Sequence, residues 1–242
     1  MAVIIYGINP VLECLRNPGR KPERILVAEG RRLPPELRSA IDEAGIRLEA
    51  VPRGRLDRLS GTKKHQGIVA IIPPIEYMPP EAFLALLIEK KGVGILLHDI
   101  EDPGNIGAII RTAEFLGAAG VAISGAHTPG ITEASVKASA GAVFHLPLCR
   151  LGNPKGFLRK FKERGGWVAG VELGGDDILS AVLPRPLFLV LGSEGRGLPE
   201  KLVEKCDFVL TIPSRGKTGS LNVAAAGAIA LWTVISGWRK NT

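Results

Sequence analysis

Short continuous apolar runs alternate along this chain with stretches whose apolar residues recur every three to four positions. Runs bounded by Gly, Pro or Asn read as strands, and the 3.6-residue spacing reads as helix. Ile4 to Asn9 is a short strand or turn, and Asn9-Pro10 opens a helix with Val11, Leu12 and Leu15 on one face. Strands over 24–28, 47–51 and 67–72 follow, with helices over 34–44, stopped by Gly45, and 53–59 between them. These elements make an α/β unit of about 75 residues, near the lower end of ordinary domain size. Four prolines within Pro73–Pro80 form a semi-rigid spacer, and a helix over 81–91 caps what comes next.

The second unit has a denser pattern. Strands are expected over 93–97, 121–124, 168–171, 187–191 and 208–211. Helices are expected over 106–116, stopped by Gly117, and over 134–142. A last, alanine-rich helix opens at Ser220, a favourable cap residue, and runs to Trp238. Continuous apolar strands alternating with helices predict an α/β domain with a mainly parallel sheet. The expected division is 1–74, a linker and capping helix over 75–91, and 92–242.

Composition changes the picture in one respect. The chain of 242 residues carries a net charge of +7 and a pI near 9.5, which suits a polyanionic partner. Residues 1–75 hold 13 Lys and Arg against 8 Asp and Glu, so the front third carries most of the excess. Arg53, Arg55, Arg58, Lys63, Lys64 and His65 cluster there, either as a solvated face or as a phosphate-contacting patch. Cys14, Cys149 and Cys206 have neither metal-ligand nor disulfide spacing, so free thiols and no metal are expected. The start of the chain lacks a signal-peptide pattern and no uninterrupted apolar run is long enough to span a bilayer. A cytoplasmic protein without membrane contact is the expectation.

Candidate chemistry sits in three loops at strand ends. Asp102-Pro103-Gly104-Asn105-Ile106-Gly107 leads into a helix bearing Arg111. A cation in so apolar a helix is either a snorkelling surface residue or an aimed group. Gly192-Ser193-Glu194-Gly195-Arg196-Gly197-Leu198 follows the most apolar strand. It lacks the spacing of a dinucleotide fingerprint and carries no Walker Lys-Ser pair. The third loop, Ile212 to Val223, holds Arg215, Lys217, Ser220 and Asn222 before the last helix. Each alone is ordinary glycine punctuation. Strand ends that meet helix N-termini are also where α/β proteins bind ligands.

In this order, Asn-x-Gly-x-x-x-Arg, Gly-Ser-Glu-Gly-x-Gly-Leu and Ile-Pro-x-x-Gly-x-x-x-Ser-Leu-Asn-Val resemble the three motifs of the SpoU (TrmH-like) SPOUT RNA methyltransferases. The front unit, with Tyr6-Gly7-Ile8-Asn9-Pro10-Val11 and His65-Gln66-Gly67-Ile68, resembles the substrate-binding domain of the ribosomal RNA guanosine 2′-O-methyltransferases. The resemblance implies a C-terminal domain with a deep trefoil knot, preceded by a smaller RNA-binding α/β domain. It implies S-adenosylmethionine as cofactor, near Gly192, Glu194, Gly195, Ile212, Ser220 and Leu221. It implies a homodimer whose active site is completed across the first-motif and last helices.

By the same resemblance Arg111 acts on the ribose hydroxyl, with Asn105, Glu194, Ser220 and Asn222 orienting it. Guanidinium is a poor base. Arg111 is therefore either a base assisted by a substrate phosphate or a clamp on that phosphate and the developing alkoxide. Arg53, Arg55, Lys63, Lys64, His65, Arg215 and Lys217 are the expected RNA contacts, with Arg215 and Lys217 pointing away from the sulfonium. The leading reading is ribose 2′-O-methylation of a guanosine in 23S ribosomal RNA. A transfer-RNA target is its rival within the class. A non-catalytic RNA-binding protein of the same fold is a rival from another class, told apart by cofactor binding.

Overall fold

The computed structural model describes residues 2–240; the outer limits of the expected domains, Met1 and Thr242, lie outside the described residues. The front sheet contains β1 (Val3–Tyr6), β2 (Arg24–Ala28), β3 (Leu48–Val51) and β4 (Ile68–Ile72), in the spatial order β1-β4-β2-β3. Only β2 and β3 run parallel; β4 is antiparallel to both of its neighbours. The helices are α1 (Ile8–Arg16), α2 (Pro35–Ala44) and α3 (Arg53–Ser60). Successive side chains of a strand face opposite ways, and β4 obeys this strictly. Ile68, Ala70 and Ile72 pack toward α1 and α2, while Val69 meets Leu56 of α3.

Helix α4 (Pro80–Lys90) leads into six strands: β5 (Val93–His98), β6 (Gly120–Ser124), β7 (Leu148–Leu151), β8 (Trp167–Asp177), β9 (Leu187–Leu191) and β10 (Phe208–Thr211). Their order is β10-β8-β9-β5-β6-β7, with every recorded pairing parallel. The chain lays β6 and β7 on one side of β5, then returns to lay β9 on the other. The strand order thus reverses between β5 and β9, the kind of place where open parallel sheets bind ligands. Helices α5 (Pro103–Phe115), α6 (Glu133–Ala138), α7 (Pro154–Glu163), α8 (Glu200–Val203) and α9 (Val223–Lys240) cover the sheet.

Several expected boundaries move. Helix α5 begins at Pro103, because Asp102 caps it by accepting from Gly104 N at 2.9 Å. Asn105 thus lies in the first turn of the helix, not in the loop before it. Helix α6 ends at Ala138 because Ala140 and Gly141 adopt positive φ, and a 3-10 turn at Ala142–Phe144 follows. Strand β8 continues past Val171 to Asp177. Its register against β10 jumps between Val209 and Leu210, leaving residues 171–175 without a β10 partner. Ser220 does not cap the last helix. Asn222 does, with its Oδ1 accepting from Ala224 N at 3.0 Å and Ala225 N at 3.3 Å.

The two sheets share a continuous apolar core that runs from Ile5 and Val11 through Ile75 to Ile106 and Val143. Polar contacts tie the junction. His145 Nε2 lies 2.7 Å from Glu13 Oε2, Asn17 Nδ2 donates to Phe144 O, and Lys137 stands over the Tyr6 ring. The proline-rich spacer is fastened as well, since the Tyr77 hydroxyl accepts from Ile131 N at 2.7 Å. No helix among the described residues is long and apolar enough to cross a membrane, and no metal-ligand cluster occurs among them.

Candidate active site

The loops after β5, β9 and β10 meet. Glu194 Oε1 accepts from Asn105 Nδ2 at 2.8 Å, from Asn222 Nδ2 at 2.6 Å and from Val223 N at 3.3 Å. Asn222 Nδ2 also donates to Asn105 Oδ1 at 3.1 Å. Residues separated by 89 and 28 positions in sequence thereby share one carboxylate oxygen. The position suits a negative charge, because it faces the first turns of both α5 and α9, whose free N–H groups favour anions. The polar side chains themselves remain accessible: Glu194 and Asn222 are exposed and Asn105 is half-buried.

Beside this cluster lies a cleft of about 780 Å³. Gly192, Glu194, Gly195, Ile212, Ser220 and Leu221 all line it. Its apolar walls come from Leu173, Leu191, Ile212, Leu221 and Val223. The Ser193–Gly197 turn closes on itself, with Gly197 N donating to Ser193 O at 2.9 Å. Gly197 has φ +63°, and a Cβ there would run into the Glu172 carboxylate. Glu172 lines the same cleft from the unpaired stretch of β8 and escaped the sequence reading. Its only sequence signal is a lone acid after the apolar run 168–171.

Arg111 is elsewhere on the surface. It is six residues past Asn105, a rise of about 9 Å and a turn of about 240° on an α-helix. The two side chains therefore face different ways. Arg111 is exposed and lines a separate groove of about 660 Å³ with Asn9, Glu13, His145 and Trp232. Phe115 (83% exposed), Trp232 (57%) and Ile229 (39%) leave an apolar strip on α5 and α9 around it.

The expected RNA contacts divide. Arg53, Arg55, Lys63 and Lys64 are exposed on α3 and the loop after it. His65 is not available: it is 0% exposed, its Nε2 faces Asp57 Oδ1 at 2.8 Å and its Nδ1 accepts from Gly67 N at 3.0 Å. Both ring nitrogens are thus spent on fixing the turn before β4. The next residue, Gln66, holds the start of α1 by accepting from Ile8 N at 2.9 Å. Arg215 is exposed and is among the residues lining the cleft; Lys217 is exposed and absent from the lining.

Residues 92–232 match the SpoU rRNA Methylase family. The chain belongs to the SpoU rRNA methylase family. Residues 4–78 match the family described as RNA 2′-O ribose methyltransferase substrate binding. YacO of Bacillus subtilis, assigned to the TrmH family of tRNA/rRNA methyltransferases, is 36% identical over 95% of this chain and 94% of its own length. A protein of Mycolicibacterium paratuberculosis described as an uncharacterized tRNA/rRNA methyltransferase is 36% identical over 94% of this chain and 75% of its own. Among solved structures, the SpoU methyltransferase AviRb of Streptomyces viridochromogenes, in complex with AdoMet, superposes with a TM-score of 0.81. It is 25% identical and the match covers 98% of this chain and 91% of that one. An AdoMet-bound rRNA methyltransferase of Sinorhizobium meliloti gives 0.80 at 26% identity, over 96% and 86% of the two chains.

Proposed function

We propose that this protein transfers a methyl group from S-adenosylmethionine to a ribose 2′-hydroxyl of RNA, with a guanosine of 23S ribosomal RNA as target. The convergence of Asn105, Glu194 and Asn222 beside a glycine-walled cleft carries this reading. The cleft suits the cofactor's chemistry. About 780 Å³ lies within the range of small-molecule sites. Its apolar walls accept a purine, glycine backbone permits close approach, and two carboxylates, Glu172 and Glu194, suit a cation. When bound there, S-adenosylmethionine supplies an electrophilic methyl group.

The chain's own residues must orient the sugar and manage its proton. Asn105 and Asn222 are held by Glu194, which lines the cleft, so each amide keeps a fixed direction beside it. Arg111 supplies a cation whose planar fork matches a phosphate or alkoxide. A second copy packed through the Phe115, Ile229 and Trp232 strip brings its own Arg111 to the site, which makes the homodimer the active unit. We assign residues 1–74 to RNA binding, through Arg53, Arg55, Lys63 and Lys64, with 75–91 as linker and 92–242 as the knotted catalytic domain. We assign Arg215 and Lys217, both exposed, as further phosphate contacts. The free thiols and absence of a spanning helix among the described residues agree with a cytoplasmic location.

The ribosomal target is favoured over transfer RNA by the front domain and by the full-length likeness to the Sinorhizobium rRNA methyltransferase. Calorimetric titration with S-adenosylmethionine, then tritiated methyl transfer to RNA from a strain lacking the gene, tests the reading. Binding plus transfer into 23S RNA is expected. Absence of cofactor binding would leave a non-catalytic RNA-binding protein instead.

A further inference from the structure

We infer that Glu172 reads the ribose of the bound cofactor, an assignment that rests on the methyl-transfer reading above. The register jump in β8 sets the stage. Residues 171–175 leave the β10 ladder, and Gly175 packs so closely on the Val209 carbonyl that no Cβ would fit. This carries Glu172 and Leu173 into the cleft wall.

The carboxylate is then fixed from behind. Glu172 Oε2 accepts from Leu198 N at 2.6 Å, and Oε1 accepts from Leu173 N at 2.9 Å. Gly197 leaves the space in which the carboxylate sits. A carboxylate oxygen has two acceptor sites, so one remains on each oxygen. Among the described residues no Lys or Arg forms a salt bridge with Glu172, and Arg196 in the same cleft is turned to Glu101 at 3.4 Å.

Two fixed, adjacent acceptors in the cleft wall match a vicinal diol. Dinucleotide folds solve the same problem with an acidic residue on the ribose hydroxyls. The second carboxylate of the cleft cannot offer both oxygens to a diol, because Glu194 Oε1 is committed to Asn105, Asn222 and Val223. The two acids therefore divide the cleft: Glu194 braces the reaction end and Glu172 holds the sugar.

The test is calorimetric binding of S-adenosylhomocysteine and its 2′-deoxy and 3′-deoxy analogues to the full chain. The wild type should prefer the parent compound by about 10- to 100-fold, the scale of hydrogen bonds to a charged group. In Glu172→Ala the preference should fall to near one. Glu172→Gln should narrow it, because the amide turns its NH2 toward one of the two backbone donors; it also serves if the alanine variant fails to fold. Equal weakening for all three ligands, with the preference intact, would show that Glu172 merely braces the loop and would overturn the assignment. Failure of the wild type to bind any of the three would overturn the methyl-transfer reading itself.

Discussion

The Glu194 carboxylate accepts a 2.6 Å hydrogen bond from the Asn222 amide, joining the loop after β9 to the cap of the last helix. Asn222 thereby serves two purposes, since its Oδ1 also caps α9. Loss of the brace and loss of the cap are separable. Glu194→Ala should lower the rate of methyl transfer by about 10²-fold, the scale of a 1 Å misplacement of reacting groups, with little change in melting temperature. Asn222→Ala should lower the rate similarly and also cost about 1 kcal/mol of stability through the lost cap. Turnover assays paired with denaturant titrations read both.

Arg111 is exposed and has no side-chain partner among the described residues. Arg111→Lys should therefore leave stability within about 0.5 kcal/mol. Methyl transfer should nonetheless nearly vanish, because a point cation lacks the guanidinium fork. Full turnover in that variant would remove Arg111 from the mechanism, whether it acts as base or as clamp.

The apolar strip on α5 and α9 predicts the oligomeric state. Trp232→Glu puts a charge where Phe115 and Ile229 already lie exposed. Sedimentation should show a dimer for the wild type at micromolar concentration and a monomer for the variant. The monomer should bind S-adenosylmethionine but transfer no methyl group, since its cleft and its Arg111 face different ways. A monomeric variant with full activity would contradict the shared site.

Burial lowers the pKa of His98 below its ordinary value of 6.5, against the smaller raising effect of Asp99. The unfolded chain then binds the proton more readily than the folded one. Stability from this group is complete above the unfolded value and is lost as pH falls through the folded value. Melting temperature should fall from pH 7.5 toward pH 5, and His98→Asn should flatten that slope. An unchanged slope would exclude His98 as a contributor.

Much of the site was legible in the sequence because glycine and proline punctuate its loops. Asn105, Glu194 and Asn222 lie at strand–helix transitions that composition alone marks. The six-residue spacing alone turns Arg111 about 240° from Asn105; what was not legible is the groove it lines, because Asn9, Glu13 and His145 reach it from other elements. The choice of cap between Ser220 and Asn222 was hidden, because both residue types cap well. Burial of His65 depends on Asp57, which only the fold of α3 brings opposite it. Helix α7 was missed although Asn153 caps it, its Oδ1 accepting from Gly156 N. Its buried Phe157, Leu158 and Phe161 are interleaved with Lys155, Arg159, Lys160 and Lys162, which masked the apolar face. Strand β7 is four residues long and includes an exposed Arg150, so no apolar run announced it.

Alkaline hydrolysis of methyl-labelled RNA tests the central claim most directly. A methyl group on a ribose 2′-oxygen removes the nucleophile of alkaline cleavage. RNA from a strain lacking the gene, labelled by this enzyme, should yield its label in one alkali-resistant dinucleotide carrying a 5′ guanosine, recovered from 23S RNA. Label released entirely as mononucleotide would place the methyl group on a base and contradict the account.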